Sequence, residues 1–415
     1  MTEETTLYRA PFVVTGTGPV IENGGVLVRD DLIIAVDLFE HLKNEAAQII
    51  DCDGHILTPA LINCHAHLEL SWMAEHQTSD DHFEPGDITG WIRGLLKKRD
   101  HFSPSDAEID ASARQALDIL HANGTILVGD IGNRFESRLI GDGHKTTVLF
   151  YLEMMGLTKK AAQQQMSRLD KIDCSATGHG PYSSHPDLIK QLKRRADGRS
   201  DLLPLHVAET SDEVDLLQTG KGRFYDFLNE RLQQIGEFEG HDLTDFFTVP
   251  GCGAVEYLDR LGVLGENTLC VHSVHVDAHE IDLLAQKGAK VCLCPLSNRF
   301  IGVGIAPLEV FLDKGILPGL GTDSLVSNRS LNIFAEMSAL AEDHPQVDPA
   351  TIFMMATIGG ARALNSSKQY GSIEKGKRAA MLAIECDSID SKAIYQFLVH
   401  GGEELQVKWL EAFRE

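Results

Sequence analysis

Pro59-Ala60-Leu61-Ile62-Asn63-Cys64-His65-Ala66-His67 is the stretch on which the reading of the whole chain turns. An apolar run of strand character closes on two histidines two positions apart. Residues i and i+2 of a strand point to the same side, so the two imidazoles can grip one cation from one direction. A lone His-x-His is also common in surface loops, so the motif needs support from elsewhere in the sequence.

Outward from this stretch the texture is a strand–helix alternation, the mark of a parallel sheet. Eight apolar runs read as strands, at 56–64, 125–131, 146–152, 172–178, 202–208, 268–274, 290–294 and 317–321. Helical spacing lies between them. Ile109, Ala113, Ala116, Leu117 and Leu120 recur over 106–122, and Ile281, Leu284 and Ala285 over 280–287. The expectation is an α/β fold with a (β/α)8 barrel over residues 56–365. Short β-like runs broken by Gly, Asn and Asp occupy 1–55, and the same texture returns in 366–415. The two ends are therefore expected to form a small discontinuous β-sandwich. Two long connections, 75–105 and 210–266, follow the first and fifth strands and are candidates for lids over the active-site face.

Further strand ends carry the same kinds of side chain. The fifth run ends at His206, with Glu209 three residues on; the sixth ends at His272, followed by His275; the last ends at Asp323. Each has an ordinary structural explanation, such as a helix N-terminus for Glu209, a core position for His272 and an N-cap for Asp323. Taken together those explanations fail, because strand ends of a parallel barrel converge on one axial pocket. His65, His67, His206 and Asp323 then make a four-ligand set with a position left open, as a catalytic zinc requires. Zinc is the default ion, with Fe2+ or Mn2+ suited to similar ligands.

Bulk properties narrow the partners. The 415 residues carry a net charge of -24, which disfavours nucleic acid and anionic membranes and leaves a small-molecule substrate. No run approaches the roughly 18 apolar residues that span a bilayer. The Met1-Thr2-Glu3-Glu4 start lacks a signal-peptide pattern, and the eight scattered cysteines read as thiols in a reducing compartment, so the expected location is cytoplasmic.

These motifs, with Cys294-Pro295-Leu296-Ser297-Asn298 and Gly321-Thr322-Asp323-Ser324, resemble the amidohydrolase superfamily, in its cytosine deaminase, guanine deaminase and chlorohydrolase-like branch. His67-Leu68-Glu69-Leu70-Ser71, Trp91-Ile92 and His179-Gly180-Pro181-Tyr182-Ser183 are similar to aminodeoxyfutalosine deaminases and their adenosine-type relatives. There are departures: Leu296 replaces a frequent Arg, and Gly180 stands where Ala is common. No Lys ends the fourth strand, which favours one metal ion over two.

The resemblance implies a TIM-barrel hydrolase that removes ammonia from an aminated heterocycle, such as an aminopurine nucleoside. It implies a catalytic set of Glu209, His272 and Asp323. Glu209 would protonate the ring nitrogen, Asp323 would take a proton from water, and His272 would polarise the attacking group, with ligation by His272 left open. His179 matches a substrate-contacting position. Glu69 and Trp91 suit a ribose contact and a ring platform, and suit plain packing equally. The same site in this superfamily also serves dechlorination, cyclic amide or amidine opening, and pyrimidine or pterin deamination, while some members are non-catalytic scaffolds. Homodimers are common in such families. His82, His101 and His344 read as loop residues without a chemical role.

Overall fold

The computed structural model describes residues 5–76, 83–234, 243–386 and 389–413. Its strands in chain order are β1 (Thr6–Val13), β2 (Ile21–Arg29), β3 (Leu32–Leu38), β4 (Gln48–Asp51), β5 (His55–Pro59), β6 (Leu61–Ala66), β7 (Thr125–Gly132), β8 (Thr147–Met154), β9 (Ser175–Gly178), β10 (Leu203–Val207), β11 (Thr268–His272), β12 (Lys290–Leu293), β13 (Gly319–Leu320), β14 (Met381–Glu385) and β15 (Val407–Trp409).

Strands β6 to β13 run parallel in two four-stranded sheets, β6-β7-β8-β9 and β10-β11-β12-β13. Hydrogen bonds join the sheets at both seams. His206 N donates to His179 O at 2.8 Å beside β9 and β10, and Asp323 N donates to His65 O at 3.0 Å beside β13 and β6. All six residues of β6 and all five of β10 are buried, as befits parallel strands covered on both faces.

The expected helices form where the apolar spacing placed them. Asp106–Ala122 starts at a Ser105/Glu108 capping box and buries Ala113, Ala116, Leu117 and Leu120. Ala278–Lys287 starts at an Asp277/Glu280 capping box and buries Ile281 and Leu284. The long connections are largely helical too, as Ile88–Phe102, Ser211–Thr219, Arg223–Gln234 and Ala254–Arg260. The Ile88–Phe102 and Arg223–Gln234 helices meet through Arg93, whose guanidinium lies 5.1 Å from the Phe227 ring centroid and 2.9 Å from Glu230 Oε2.

Two expectations change. The run 56–64 is two strands, not one. Ile56–Pro59 pairs with β1 and β14, and the chain changes neighbours at Ala60, whose N–H goes to Ala380 O, while Leu61 N donates to Gly124 O. Pro59 has no N–H with which to carry the first pairing further. The chain ends do share one unit, but its hydrogen bonding gives a single seven-stranded sheet, ordered β15-β14-β5-β1-β2-β3 with β4 also on β1, rather than a sandwich of two sheets. The tight Asp30-Asp31 turn between β2 and β3, at φ 47° and 61°, is the left-handed pair that a two-residue hairpin needs. No helix among the described residues is long and apolar enough to cross a membrane.

Candidate active site

The strand ends bring His65, His67, His206, His272 and Asp323 together. The His65 ring centroid lies 4.7 Å from that of His67, 4.9 Å from His206 and 5.9 Å from His272. Asp323 Oδ1 approaches His65 Nε2 at 3.5 Å and His67 Nε2 at 3.6 Å. Asn63 ties the two strand ends that carry these groups. Its Oδ1 accepts from His65 N and Thr322 N, each at 3.2 Å, and its Nδ2 donates to Thr322 Oγ1 at 2.7 Å.

The donor set fits a metal ion. His67 Nδ1 donates to Ile131 O, and His206 Nδ1 to His179 O, each at 3.0 Å. Those bonds place the protons on Nδ1 and leave lone pairs on the Nε2 atoms, which face each other at 3.3 Å. Two lone pairs at that distance repel unless a cation lies between them. Both ring nitrogens of His65 are buried without a hydrogen-bond partner, which is costly unless an ion takes one of them. Ligand atoms of His65, His67 and His206 lie within 4.8 Å of one another, as do those of His65, His272 and Asp323.

Electrostatics agree with this for His65, His206 and Asp323, and His67 is the exception. Burial lowers His65 to about 4 against an opposing pull from Asp323, and burial also holds His206 well below its ordinary value. Burial would raise Asp323, but His65, His67 and His272 draw it well below the usual carboxylate range. His67 moves upward, because Asp323, Glu153, Asp130 and Glu69 outweigh its burial. Two neutral imidazoles and an ionised carboxylate are the forms that bind a cation.

Backbone strain clusters here. Ala208, His272, Ser273 and Asp323 adopt φ of 51°, 71°, 48° and 57°. Left-handed residues other than glycine cost about 1 kcal/mol or more each and persist where their surroundings hold them. The turns after β10 and β11 hold each other: Ser273 N donates to Val207 O at 3.0 Å, Val274 N to Ala208 O at 3.0 Å and His275 N to Ala208 O at 2.8 Å. This interlock sets His272 Nε2 at 3.7 Å from Glu209 Oε1. Burial raises Glu209, with His272 opposing.

Sequence reasoning named the Cys294–Asn298 motif without giving it a task. Ser297 Oγ and Ser327 Oγ both donate to Asp323 Oδ2 at 2.7 Å, which leaves Oδ1 turned to the histidines. Asn298 Oδ1 accepts from His272 Nδ1 at 3.1 Å. The signal was partial, since Ser297 and Asn298 lie on the Pro295–Ile301 helix that leaves the end of β12, near where a barrel places its working groups. Glu153 near the end of β8 was also missed. It is buried, accepts from Asn133 Nδ2 at 2.6 Å, and lies with His179 and His206 in a third group of close ligand atoms.

A cavity of about 740 Å³ opens over the cluster. His67, His179, His206, Glu209 and Asp323 form part of its lining, and both long connections supply its apolar wall through Trp91, Leu95, Phe227 and Leu228. His179 stacks on His206 at 4.5 Å and meets Ser183 Oγ at 3.0 Å through Nδ1. Trp91 is half-buried in the wall, with Nε1 3.4 Å from Val326 O. Glu69 reaches the cavity, but its carboxylate accepts from Asn133 N, Arg134 N and Ser137 Oγ at 2.8, 3.2 and 3.1 Å, so it braces the loop after β7.

The other histidines lie apart. His275 Nε2 bonds Val303 O at 2.7 Å; His101 belongs to the Ile88–Phe102 helix and not to a loop; His344 is buried at a helix end, 2.8 Å from Glu309; His82 is outside the described residues.

Known proteins share this organisation. Residues 56–407 match the amidohydrolase family. The 5'-deoxyadenosine deaminase of Methanothermobacter thermautotrophicus is 28% identical over 411 residues, covering 92% of this chain and 85% of its own. The aminofutalosine deaminase of Helicobacter pylori, solved with methylthio-coformycin, superposes with a TM-score of 0.80 at 24% identity over 95% of this chain and 96% of that one. An adenosine deaminase from Xanthomonas campestris with bound zinc gives 0.76 at 21% identity, over 95% and 88%. A TIM-barrel fold follows from this kinship, and with the match spanning most of its length the chain belongs to the amidohydrolase family.

Proposed function

We propose that the protein is a metal-dependent hydrolytic deaminase of an adenosine-type nucleoside, with aminodeoxyfutalosine and 5'-deoxyadenosine among the candidate substrates. The observation that carries the reading is the placement of Glu209, a buried carboxyl raised above its ordinary range, beside the His/Asp cluster and in the wall of the cavity. The names of the relatives support the same class of reaction.

We assign the metal to His65, His67, His206 and Asp323, with zinc as the ion. When bound there, the ion supplies Lewis acidity that brings the pKa of a water toward about 7. Glu209, whose carboxyl burial pushes above its ordinary value, gives a proton to the ring nitrogen next to the carbon that loses its amine. Asp323 Oδ1, fixed by the two serine hydroxyls on Oδ2, accepts a proton from the attacking water and passes it to the departing ammonia, while the hydroxyl proton left on the attacked carbon returns to Glu209 as the carbonyl forms. His272, locked by Asn298, presents Nε2 to the same region. His179 and Trp91 contact the substrate ring, and Glu69 reaches its sugar only by giving up a brace of the β7 loop. The cavity is larger than a bare pyrimidine or pterin needs, and its apolar outer wall suits a substituted nucleoside. In this reading the catalytic unit spans 56–365, with 1–55 plus 366–415 as its satellite and Ile56–Pro59 lent to the satellite sheet.

The test is ammonia release by zinc-loaded protein from aminated purine nucleosides, pterins and pyrimidines, with chlorotriazines and cyclic amides as counter-substrates. Release from a nucleoside of the adenosine type is the expected result. Turnover confined to the counter-substrates, or ammonia from none of them, would overturn the proposal.

A further inference from the structure

Glu213 is a fully buried carboxyl that the chemistry above does not use. It sits at the third position of the Ser211–Thr219 helix, whose cap, Thr210, accepts the Glu213 N–H through Oγ1 at 3.1 Å. A glutamate there ordinarily reaches back to the N–H of the cap residue itself. Here the side chain passes the cap, and Oε2 accepts from Glu209 N at 2.9 Å. Glu209 follows Ala208 at φ 51°, and the Ala208 carbonyl is already held by Val274 N and His275 N. The segment that carries Glu209 is thus fixed on one side by the β11 turn and on the other by Glu213.

We propose that Glu213 is a positioning residue: by holding the Glu209 amide it stabilises the left-handed turn and aims the Glu209 carboxyl at the reacting ring. The inference rests on the reading of Glu209 as proton donor. Glu213 Oε1 has no hydrogen-bond partner, while the carboxyl is under the influence of the N–H groups of both Ala208 and Glu209, the two residues of the turn. Burial raises its pKa to about 8, so near neutrality the group is an uncharged acceptor that a carboxamide can imitate. Ordinary helix capping would stabilise the helix and leave turnover alone, and this separates the two roles.

The experiment compares Glu213→Ala, Glu213→Asp and Glu213→Gln with Thr210→Ala, which weakens the same helix start without touching the Glu209 amide. The substrate is the adenosine-type nucleoside that gives most ammonia with wild-type enzyme. Alanine, and aspartate with its shorter reach, are expected to lower kcat by roughly 10- to 100-fold, the scale of a misplaced catalytic group, with KM and metal content little changed. Glutamine restores kcat to near wild type, and Thr210→Ala loses thermal stability without that loss of kcat. Should alanine fail to fold, the aspartate–glutamine pair decides.

Hydrogen exchange of a peptide spanning Glu209 gives a second readout, with faster uptake in the aspartate variant and wild-type uptake in the glutamine variant. Unchanged kcat in both alanine and aspartate variants, an equal loss in Thr210→Ala, or no rescue by glutamine would overturn the inference. A Glu209→Gln enzyme that keeps turning over would instead sink the reading on which it rests.

Discussion

His272 Nε2 stands 3.7 Å from Glu209 Oε1 although one residue ends β11 and the other lies just past β10, and three backbone hydrogen bonds between their left-handed turns fix that approach. At this separation the pair is an electrostatic contact and not a hydrogen bond, so each side chain keeps capacity for the substrate. Glu209→Gln keeps the shape and the backbone interlock and removes the transferable proton. Turnover should fall by roughly 10²- to 10⁴-fold, the usual share of a general acid, with metal content unchanged. Ammonia release and elemental analysis on the same preparation check both halves.

The facing Nε2 atoms of His67 and His206, 3.3 Å apart, need a cation to offset their repulsion. Removing it should destabilise the fold as well as stop catalysis, because a ligand that binds only the native state contributes RT ln(1 + [L]/Kd), about 4 kcal/mol at a thousandfold excess over Kd. Exhaustive chelation should lower Tm by several degrees, and zinc should restore it. His67→Ala or His206→Ala should leave substoichiometric metal and a Tm insensitive to the chelator. A chelator-insensitive wild-type Tm would contradict the assignment.

Ser297 acts through Asp323. With Ser327 it saturates Oδ2 and turns Oδ1 to the histidines. Ser297→Ala should weaken metal affinity or activity by roughly 10- to 100-fold, the cost of removing such an outer hydrogen bond, while leaving the fold intact. Competition for zinc against a chromogenic chelator measures it.

What the sequence made legible follows from what is local. The barrel strands could be read because a strand buried on both faces is a short apolar run, and the candidate site because His65, His67, His206, His272 and Asp323 all lie at the ends of such runs. The split at Ala60 was hidden because β5 and β6 are both apolar and buried, and only their pairing partners differ. Ser297 and Asn298 gained their roles by meeting Asp323 and His272 from other strand ends, which spacing does not encode, and Ser327 by folding back onto Asp323 within the turn after β13. Glu69 shows the converse: its place beside His67 invited a substrate role, whereas three donors from the β7 loop occupy its carboxylate.

Glu213 also governs a pH effect on stability. Its folded value of about 8 lies above the roughly 4.3 of an exposed glutamate. Between those values the native protein holds a proton that the unfolded chain has released, so stability falls as pH rises through this window and levels off above the folded value. Glu336, raised to about 8, and Asp130, raised to about 7, act in the same direction in both wild type and variant. The contribution of Glu213 is therefore read as a difference. Glu213→Gln has no proton to release, so its Tm relative to wild type should climb by a few degrees between pH 5 and pH 8 and then hold constant to pH 9. Calorimetric scans of both proteins in matched buffers give the curve, and a Tm difference that stays flat across the window would mean that the buried carboxyl titrates as it does in water.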